Sequence, residues 1–421
     1  MAQLSDDCFA FGGPLLSIDA AQALLRERLT PVDRLEPVPL GEAVDRVLAR
    51  DLVAGIDVPP HDNSAVDGYA VRHADLHPEA DTVLPVAGRV AAGHAVPDVA
   101  GPVAVRIFTG APMPPGFDTV MMQEDATLDG DRVTLRPGLK KGANSRRAGE
   151  DVTAGTVVIP AGRRLRPQDV GLAASVGATH LEVRAPLRVA VLSTGDEVVE
   201  PGTPLPPAGI YDSNRYTVTA LLLRMGCLVT DMGILPDRLD AIRSALRDAA
   251  EEADLIVTTG GMSTGEEDHV KTAVEADGSL HFWRLAIKPG RPVALGQVRA
   301  LAGPVPLVGL PGNPVATMVT FLHLVRPLIQ RLMGWEAPPQ PLFPVRAAFD
   351  YRKKKDRREY VRVTLRTAGD GALEAVKFPR DGAGILSSMA EADGLVELRE
   401  EVTRVAPGDI VPYLPMGLLL P

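Results

Sequence analysis

Between residues 187 and 335, short apolar runs alternate with amphipathic stretches, and that alternation narrows the fold more than any other feature of the chain. LRVAVLSTG reads as a strand, SNRYTVTALLLRMG as a helix begun by Asp212 or Ser213, and CLVTDMGIL as a second strand. RLDAIRSALRDAAEEA is a helix that Asp237 could cap, DLIVTTG a third strand, and EEDHVKTAVEA another helix. PVALGQV follows, and then VPLVGLPG runs into NPVATMVTFLHLVRPLIQRLMG. Apolar strands separated by amphipathic helices predict a parallel, doubly wound α/β sheet. Ligands of such sheets sit beyond the carboxyl ends of the strands. The loops STGDE, TTGGMSTGEED and GLPGNP should therefore share one rim.

The flanks read differently. SIDAAQALLRERL (17–29), with Ser17 as N-cap, and LGEAVDRVLARDLVA (40–54) both carry helical spacing. From 56 to 146, TVLPVAGRV, AVRIFTG, DTVMMQED and RVTLRPG are short β-type runs separated by Gly and Pro turns. Residues 152–184 return to a strand–helix–strand pattern, and β character resumes after APPQP (337–341). A chain of 421 residues exceeds one ordinary core. The expected division is 1–55 with 147–186 as a mixed linking subdomain, 56–146 as a β-rich insertion, 187–336 as the α/β domain and 337–421 as a terminal β domain.

A net charge of −10 argues against a nucleic-acid partner, since phosphate-backbone affinity needs a basic surface. It leaves room for a small anionic substrate held by a few local cations. Cys8 and Cys227 are far apart and have no metal-like spacing, which is cytosolic usage. MAQLSDDCFAFGG lacks the pattern of a signal peptide, and no run of roughly 18 apolar residues predicts a membrane span. The expected location is the cytoplasm.

Several motifs on the rim carry chemistry. In TTGGMSTGEEDHV (258–270), glycines free backbone amides to surround an anion just before a helix. Three acids follow at once; capping and dipole complementarity account well for Glu266 and less completely for Glu267 and Asp268. STGDEV (193–198) leaves Asp196 and Glu197 at a tight turn, with metal or substrate binding and simple capping equally open. LAIKPGRPVALG supplies Lys288 and Arg291, with Arg284 just upstream, although a solvated turn explains an isolated KPG. GLPGNPVATMV is a turn and helix entry in which Gly312, Asn313 and Pro314 each have a structural job. PPHDNSAVDGYAV reads as an Asx-type turn, and RKKKDRR (352–358) as a solvated hairpin face. No HExxH pattern occurs.

Taken together, DNSAVDGYAV, IFTGAPMPPGFDTVMMQED, RRAGEDV, STGDEV, YDSNRYTVTALL, TTGGMSTGEEDHV, FWRLAIKPGRPVALG and GLPGNPVATMVTF resemble the MoeA family of molybdopterin molybdenumtransferases, which includes the E domain of gephyrin. The resemblance spans essentially the whole chain. It implies a MogA-like molybdopterin-binding α/β domain, β-rich N-terminal subdomains, a small C-terminal β-barrel-like domain, and a homodimer. It also implies a reaction: molybdate enters the dithiolene of adenylylated molybdopterin with a divalent cation such as Mg2+, and AMP is released. A MogA-type adenylyltransferase and acceptor molybdoenzymes are compatible as transient partners, with no nucleic acid and no membrane.

By resemblance, the functional acids are Asp67, Asp151, Glu197, Asp237 and Asp268, joined by Thr109. Candidate substrate contacts are Ser193, Thr194, Gly260, Gly261, Ser263, Lys288, Arg291, Pro311, Gly312 and Pro314. Arg284 and Arg291 stand where related sequences carry lysine. Such a reaction crowds anions into one cleft, where charges ~4 Å apart repel by a few kcal/mol at an effective dielectric of about 20. A divalent cation held by hard oxygens offsets that repulsion, and Glu197 and Asp268 are the candidate ligands. Two alternatives compete: a MogA-like adenylyltransferase, which would be a single α/β domain, and a non-catalytic scaffold.

Overall fold

A computed structural model describes residues 15–260, 269–290 and 292–419. Ile18–Arg28 forms a helix, with Ser17 Oγ accepting from the amide of Ala20 at 3.2 Å. Ile18, Ala21 and Leu25 recur at helical spacing, and this buried face joins the core of the α/β region. The adjoining strand Leu35–Pro39 pairs antiparallel with His180–Arg184.

The helix expected over 40–54 does not form. Only Leu40–Glu42 makes a 3-10 turn, and Asp45 takes a left-handed conformation (φ 67°) that breaks helical continuation. Val47 and Leu48 instead bridge to Arg164 and Val183, and Leu52–Val53 pairs with Val157–Ile159. The apolar spacing suited a helix, but pairing with a distant segment prevailed.

The β-rich region is a six-stranded sheet in the order Thr119–Met122, Gly68–Val71, Ala104–Ile107, Thr82–Val90, Arg132–Leu135, Ala126–Asp129. Successive side chains serve opposite faces: Ala70, Val105 and Val120 pack in one core, and Tyr69, Val71, Ala104 and Met121 in the other.

The α/β sheet runs Leu228–Leu235, Arg188–Thr194, Leu255–Thr259, Val305–Leu310, Pro292–Val298, Gly278–Arg284. It is doubly wound. Val189, Val191 and Val257 pack with Val218, Leu222 and Val319 on one face, while Ala190, Leu192 and Ile256 pack with Ile242, Leu246 and Val274 on the other. It is not wholly parallel, however. The first four strands run together, and Pro292–Val298 is antiparallel to both its neighbours. The connection from Arg284 to Pro292 is too short for a crossover helix, so the chain turns back as a hairpin.

In the C-terminal region, Arg358–Thr367, Leu373–Lys377, Phe343–Ala347, Ile410–Pro415 and Gly394–Leu398 form a ring, closed by pairing of the last with the first. The result is a small five-stranded barrel. Ile287–Lys288, from the α/β hairpin loop, adds to it parallel to Arg358 and Glu359. Among the described residues, no helix is long and apolar enough to cross a membrane.

Candidate active site

Strand register sets the rim. Ser193 lies beside Thr259, Thr259 beside Leu310, and Thr194 beside Leu235, so these four strands end level. Ser193 Oγ and Thr259 Oγ1 are 2.7 Å apart and buried, and the buried Thr194 Oγ1 has no hydrogen-bond partner among the described residues. Gly260 turns the chain at φ 80°, and a Cβ there would lie 2.6 Å from the Thr194 carbonyl oxygen. Only glycine permits so close an approach of the two strand ends.

Glu197 is exposed and folds its carboxylate back over Gly195. Asp237, half-buried, stands between Leu228–Leu235 and the helix Leu239–Glu252. It does not cap that helix: Arg238 occupies the cap position, without a side-chain hydrogen bond. Its carboxylate is therefore not spent on the helix end. At the neighbouring helix Asn214–Arg224, Asp212 does the capping, accepting from the amide of Arg215 at 3.1 Å. Pro314 begins the helix that follows Pro311 and Gly312, and Asn313 sits at its cap position without using its side chain there. The carbonyl of Gly312 accepts from Asn214 Nδ2 at 2.7 Å, tying two rim loops together. Arg284 is exposed at the end of its strand, opposite Pro292. Gly261, Ser263, Glu266, Glu267, Asp268 and Arg291 lie outside the described residues.

Asp67, Thr109 and Asp151 form a second group, in the β-rich region. Asp67 Oδ1 accepts from both the amide and the hydroxyl of Thr109, each at 2.8 Å. The amide first, and then the hydroxyl, hold the Asp67 carboxyl below the usual carboxylate range. Asp62 accepts from the amide of Ala148 at 2.8 Å, and the amide of Asp151 donates to Val58 at 3.0 Å. These bonds draw the DNSAVDGYAV, TGAP and RRAGEDV segments into one cluster. The side-chain hydrogen bonds between Asp67 and Thr109 stay within it, while the Asp67 carbonyl accepts from the amide of Gln123 at 3.1 Å.

The sequence reading missed the barrel's contribution to the rim. A cavity of about 460 Å³ lies between the Lys288–Pro292 loop, Pro311, Asn313 and the barrel residues Tyr351, Arg362 and Lys377. Lys288 Nζ is 3.5 Å from Glu359 Oε2 and donates to Tyr351 Oη at 3.3 Å. Tyr351 in turn donates to Glu359 Oε2 at 2.7 Å, and Arg357 Nε to Glu359 Oε1 at 2.6 Å. Arg362 is 7% exposed; among the described residues its Nε has no partner, and its Nη2 makes long contacts of 3.4 Å to two carbonyls. Burial pulls its guanidinium below the usual arginine value.

The basic run 352–358 is a solvated face only in part: Arg352, Lys354, Lys355 and Asp356 are exposed. Lys353 and Arg358 are buried, Lys353 donates to the carbonyl of Arg357 at 2.7 Å, and Arg358 pairs with Asp19 at 2.7 Å. Arg358, Tyr360 and Arg362 share one side of a strand, and Glu359 and Val361 the other, but RREYVRV carries no polar–apolar alternation to signal it. Burial pushes the Cys227 thiol up to about 12.

A doubly wound sheet with a glycine-turned rim and an adjoining cation-lined cavity defines a multidomain α/β protein built to receive an anionic ligand. Family models match along the chain: "MoeA N-terminal region (domain I and II)" at residues 16–177, "Probable molybdopterin binding domain" at 190–331, and "MoeA C-terminal region (domain IV)" at 344–416. A molybdopterin molybdenumtransferase of Haemophilus influenzae is 39% identical, over 96% of this chain and 100% of its own. Molybdopterin molybdenumtransferase 2 of Mycobacterium tuberculosis is 37% identical, over 88% of this chain and 92% of its own. The crystal structure of the molybdopterin biosynthesis MoeA protein from Pyrococcus horikoshii OT3 superposes with a TM-score of 0.80 at 28% identity, over 95% of this chain and 100% of that one. The chain belongs to the MoeA family of molybdopterin molybdenumtransferases, transferases of molybdenum cofactor biosynthesis.

Proposed function

We propose that this chain inserts molybdate into the dithiolene of adenylylated molybdopterin and releases AMP. The observation that carries this reading is the cavity where Lys288, Arg362 and Lys377 meet the rim. Arg362 is desolvated there with no ion pair among the described residues, which suits a tetrahedral dianion such as molybdate. The amides and hydroxyls of the 193–195 and 258–260 strand ends take the pterin phosphate and the adenylate.

The described residues contain no cluster of three or more His, Cys, Asp or Glu that could hold a metal by themselves. A magnesium-type site needs only one or two carboxylates besides substrate oxygens and water, and the exposed Glu197 fits that role together with Asp268. When bound, a divalent cation offsets the charge of the phosphate oxygens. The Asp67–Thr109–Asp151 cluster completes the site from the second subunit of a cytoplasmic homodimer. Transient contact with a MogA-type adenylyltransferase would supply the adenylate, and acceptor molybdoenzymes would take the product.

The test is AMP release from adenylylated molybdopterin on adding molybdate, with and without a chelator. Wild type should turn over only with the divalent ion present, and Asp268→Ala should lose turnover. Accumulation of adenylate from Mg-ATP and molybdopterin would instead make the chain an adenylyltransferase. Tight pterin binding without AMP release would make it a scaffold.

A further inference from the structure

A second cleft, of about 320 Å³, opens where the helix Ile18–Arg28 and the helical segments Phe321–Val325 and Arg326–Leu332 meet the barrel. His323, Arg326 and Gln330 line it at spacings of three and four residues, which place them along one helical face. His323 lies in a π-helical turn, Phe321–Val325, set between the α-helical segments Pro314–Thr320 and Arg326–Leu332, and Arg326 and Gln330 lie in the second of these. Such turns are rare and occur frequently at functional sites.

All three side chains are more than nine-tenths buried, at 9%, 6% and 9% exposure. Each has a nitrogen without a hydrogen-bond partner among the described residues: His323 Nε2, Arg326 Nε and Gln330 Nε2. An unmet buried polar group costs about 1–3 kcal/mol, so three along one wall require an acceptor. The nearby acids are already engaged, because Arg358 pairs with Asp19, Glu397 and Glu400. Gln340, with its amide turned to bring the oxygen toward Arg326 Nη2, satisfies one edge of the guanidinium and leaves Nε open. Burial draws Arg326 down to about 10. Burial first, then the neighbouring Arg326 and Arg358, draw His323 down to about 3, so the imidazole is neutral.

We propose that this cleft binds a small oxyanion, a carboxylate or phosphate group received by Arg326 Nε with Gln330 and the Nε2–H tautomer of His323 as neutral donors. The site is separate from the cavity at Lys288 and Arg362, although Tyr360 lines both. Its volume lies at the small end for ligand pockets, which suits an anionic group on a small organic body rather than a nucleotide.

Calorimetric titration of the full chain with inorganic phosphate and with malonate tests the proposal. Phosphate also fits the first cavity, so Arg362→Gln serves as the background that isolates the second. In that background one binding event should remain, and adding Arg326→Gln should weaken it at least tenfold. A preference for malonate assigns a carboxylate ligand, and a preference for phosphate assigns a phosphate. Wild-type crystals soaked in the preferred anion should show it within about 3.2 Å of Arg326 Nε. Unchanged affinity on adding Arg326→Gln overturns the proposal. If that variant fails to fold, the soaked crystals decide alone, and waters bridging the three nitrogens in place of the anion overturn it.

Discussion

Two borders of the α/β region treat a buried arginine in opposite ways. At the outer strand, Arg215 is 3% exposed and shared among Asp212, Asp231 and Glu200. At the seam with the barrel, Arg362 and Arg326 are 7% and 6% exposed, and among the described residues neither makes an ion pair. Burial is alike, but the charge is cancelled in one place and left over in the other. Asp212 and Glu200 belong to the segment between Arg188–Thr194 and Asn214–Arg224 that also carries Glu197. The paired arginine therefore holds a rim loop in place. The unpaired ones carry a charge that no described residue cancels, at a cost in stability that a bound anion would offset.

Thermal or urea unfolding can break this contrast. Arg215→Met strands the Asp212 carboxylate, 4% exposed, without its cation and should cost about 3 kcal/mol. Arg362→Met removes a charge with no ion pair and should change stability by less than about 1 kcal/mol in either direction. Equal losses for the two would show that Arg362 is as structural as Arg215.

Turnover should rank them the other way. Arg362→Gln should lower kcat/KM for molybdate about 10- to 100-fold, the worth of a charge-assisted contact of about 1.5–3 kcal/mol. A salt-independent, unchanged kcat/KM would remove Arg362 from the anion cavity.

The seam also predicts a pH dependence. The His323 imidazole titrates near about 3 in the fold and near about 6.5 when unfolded. Between those values the unfolded chain binds a proton that the folded chain does not, so stability rises with pH there and levels off above the upper value. At pH 5.5 the loss should be about 1.4 kcal/mol relative to neutral pH, and His323→Gln should abolish that component. A curve flat from pH 7 to 5 in wild type would place His323 in a wetter setting than its burial indicates.

The contrast also shows how much was legible in the sequence. Apolar runs bounded by glycine announced Arg188–Thr194, Leu255–Thr259 and Val305–Leu310, and their level ends gather the rim loops as expected. The antiparallel pair was not legible, because nothing in the sequence marked Gly278–Arg284 as a strand and direction is not written in periodicity. LGEAVDRVLARDLVA carried helical spacing, yet Val47 and Leu48 found partners more than a hundred residues away. Arg358 and Arg362 sat within or just past a basic run, where composition says solvent. Only the packing of the barrel against the α/β hairpin buries them. Asp67 and Thr109 could be named by resemblance, but their mutual hydrogen bonds join positions far apart in the chain.

That last pair extends the contrast to a carboxylate, and the expected effect is the smallest. Asp67 is stabilised first by the neutral donors of Thr109 and less by the charge of Arg106, and it makes no ion pair among the described residues. Thr109→Val removes the hydroxyl but keeps the amide, which contributes the larger share. The Asp67 carboxyl should therefore titrate somewhat higher while remaining below the ordinary aspartate value, as read from its carbon-13 shift against pH. At neutral pH the acid stays ionised, and loss of one hydrogen bond should cost turnover less than about tenfold. Turnover abolished by Thr109→Val, with the Asp67 titration moved only slightly, would mean that the hydroxyl touches substrate itself rather than serving the carboxylate beside it.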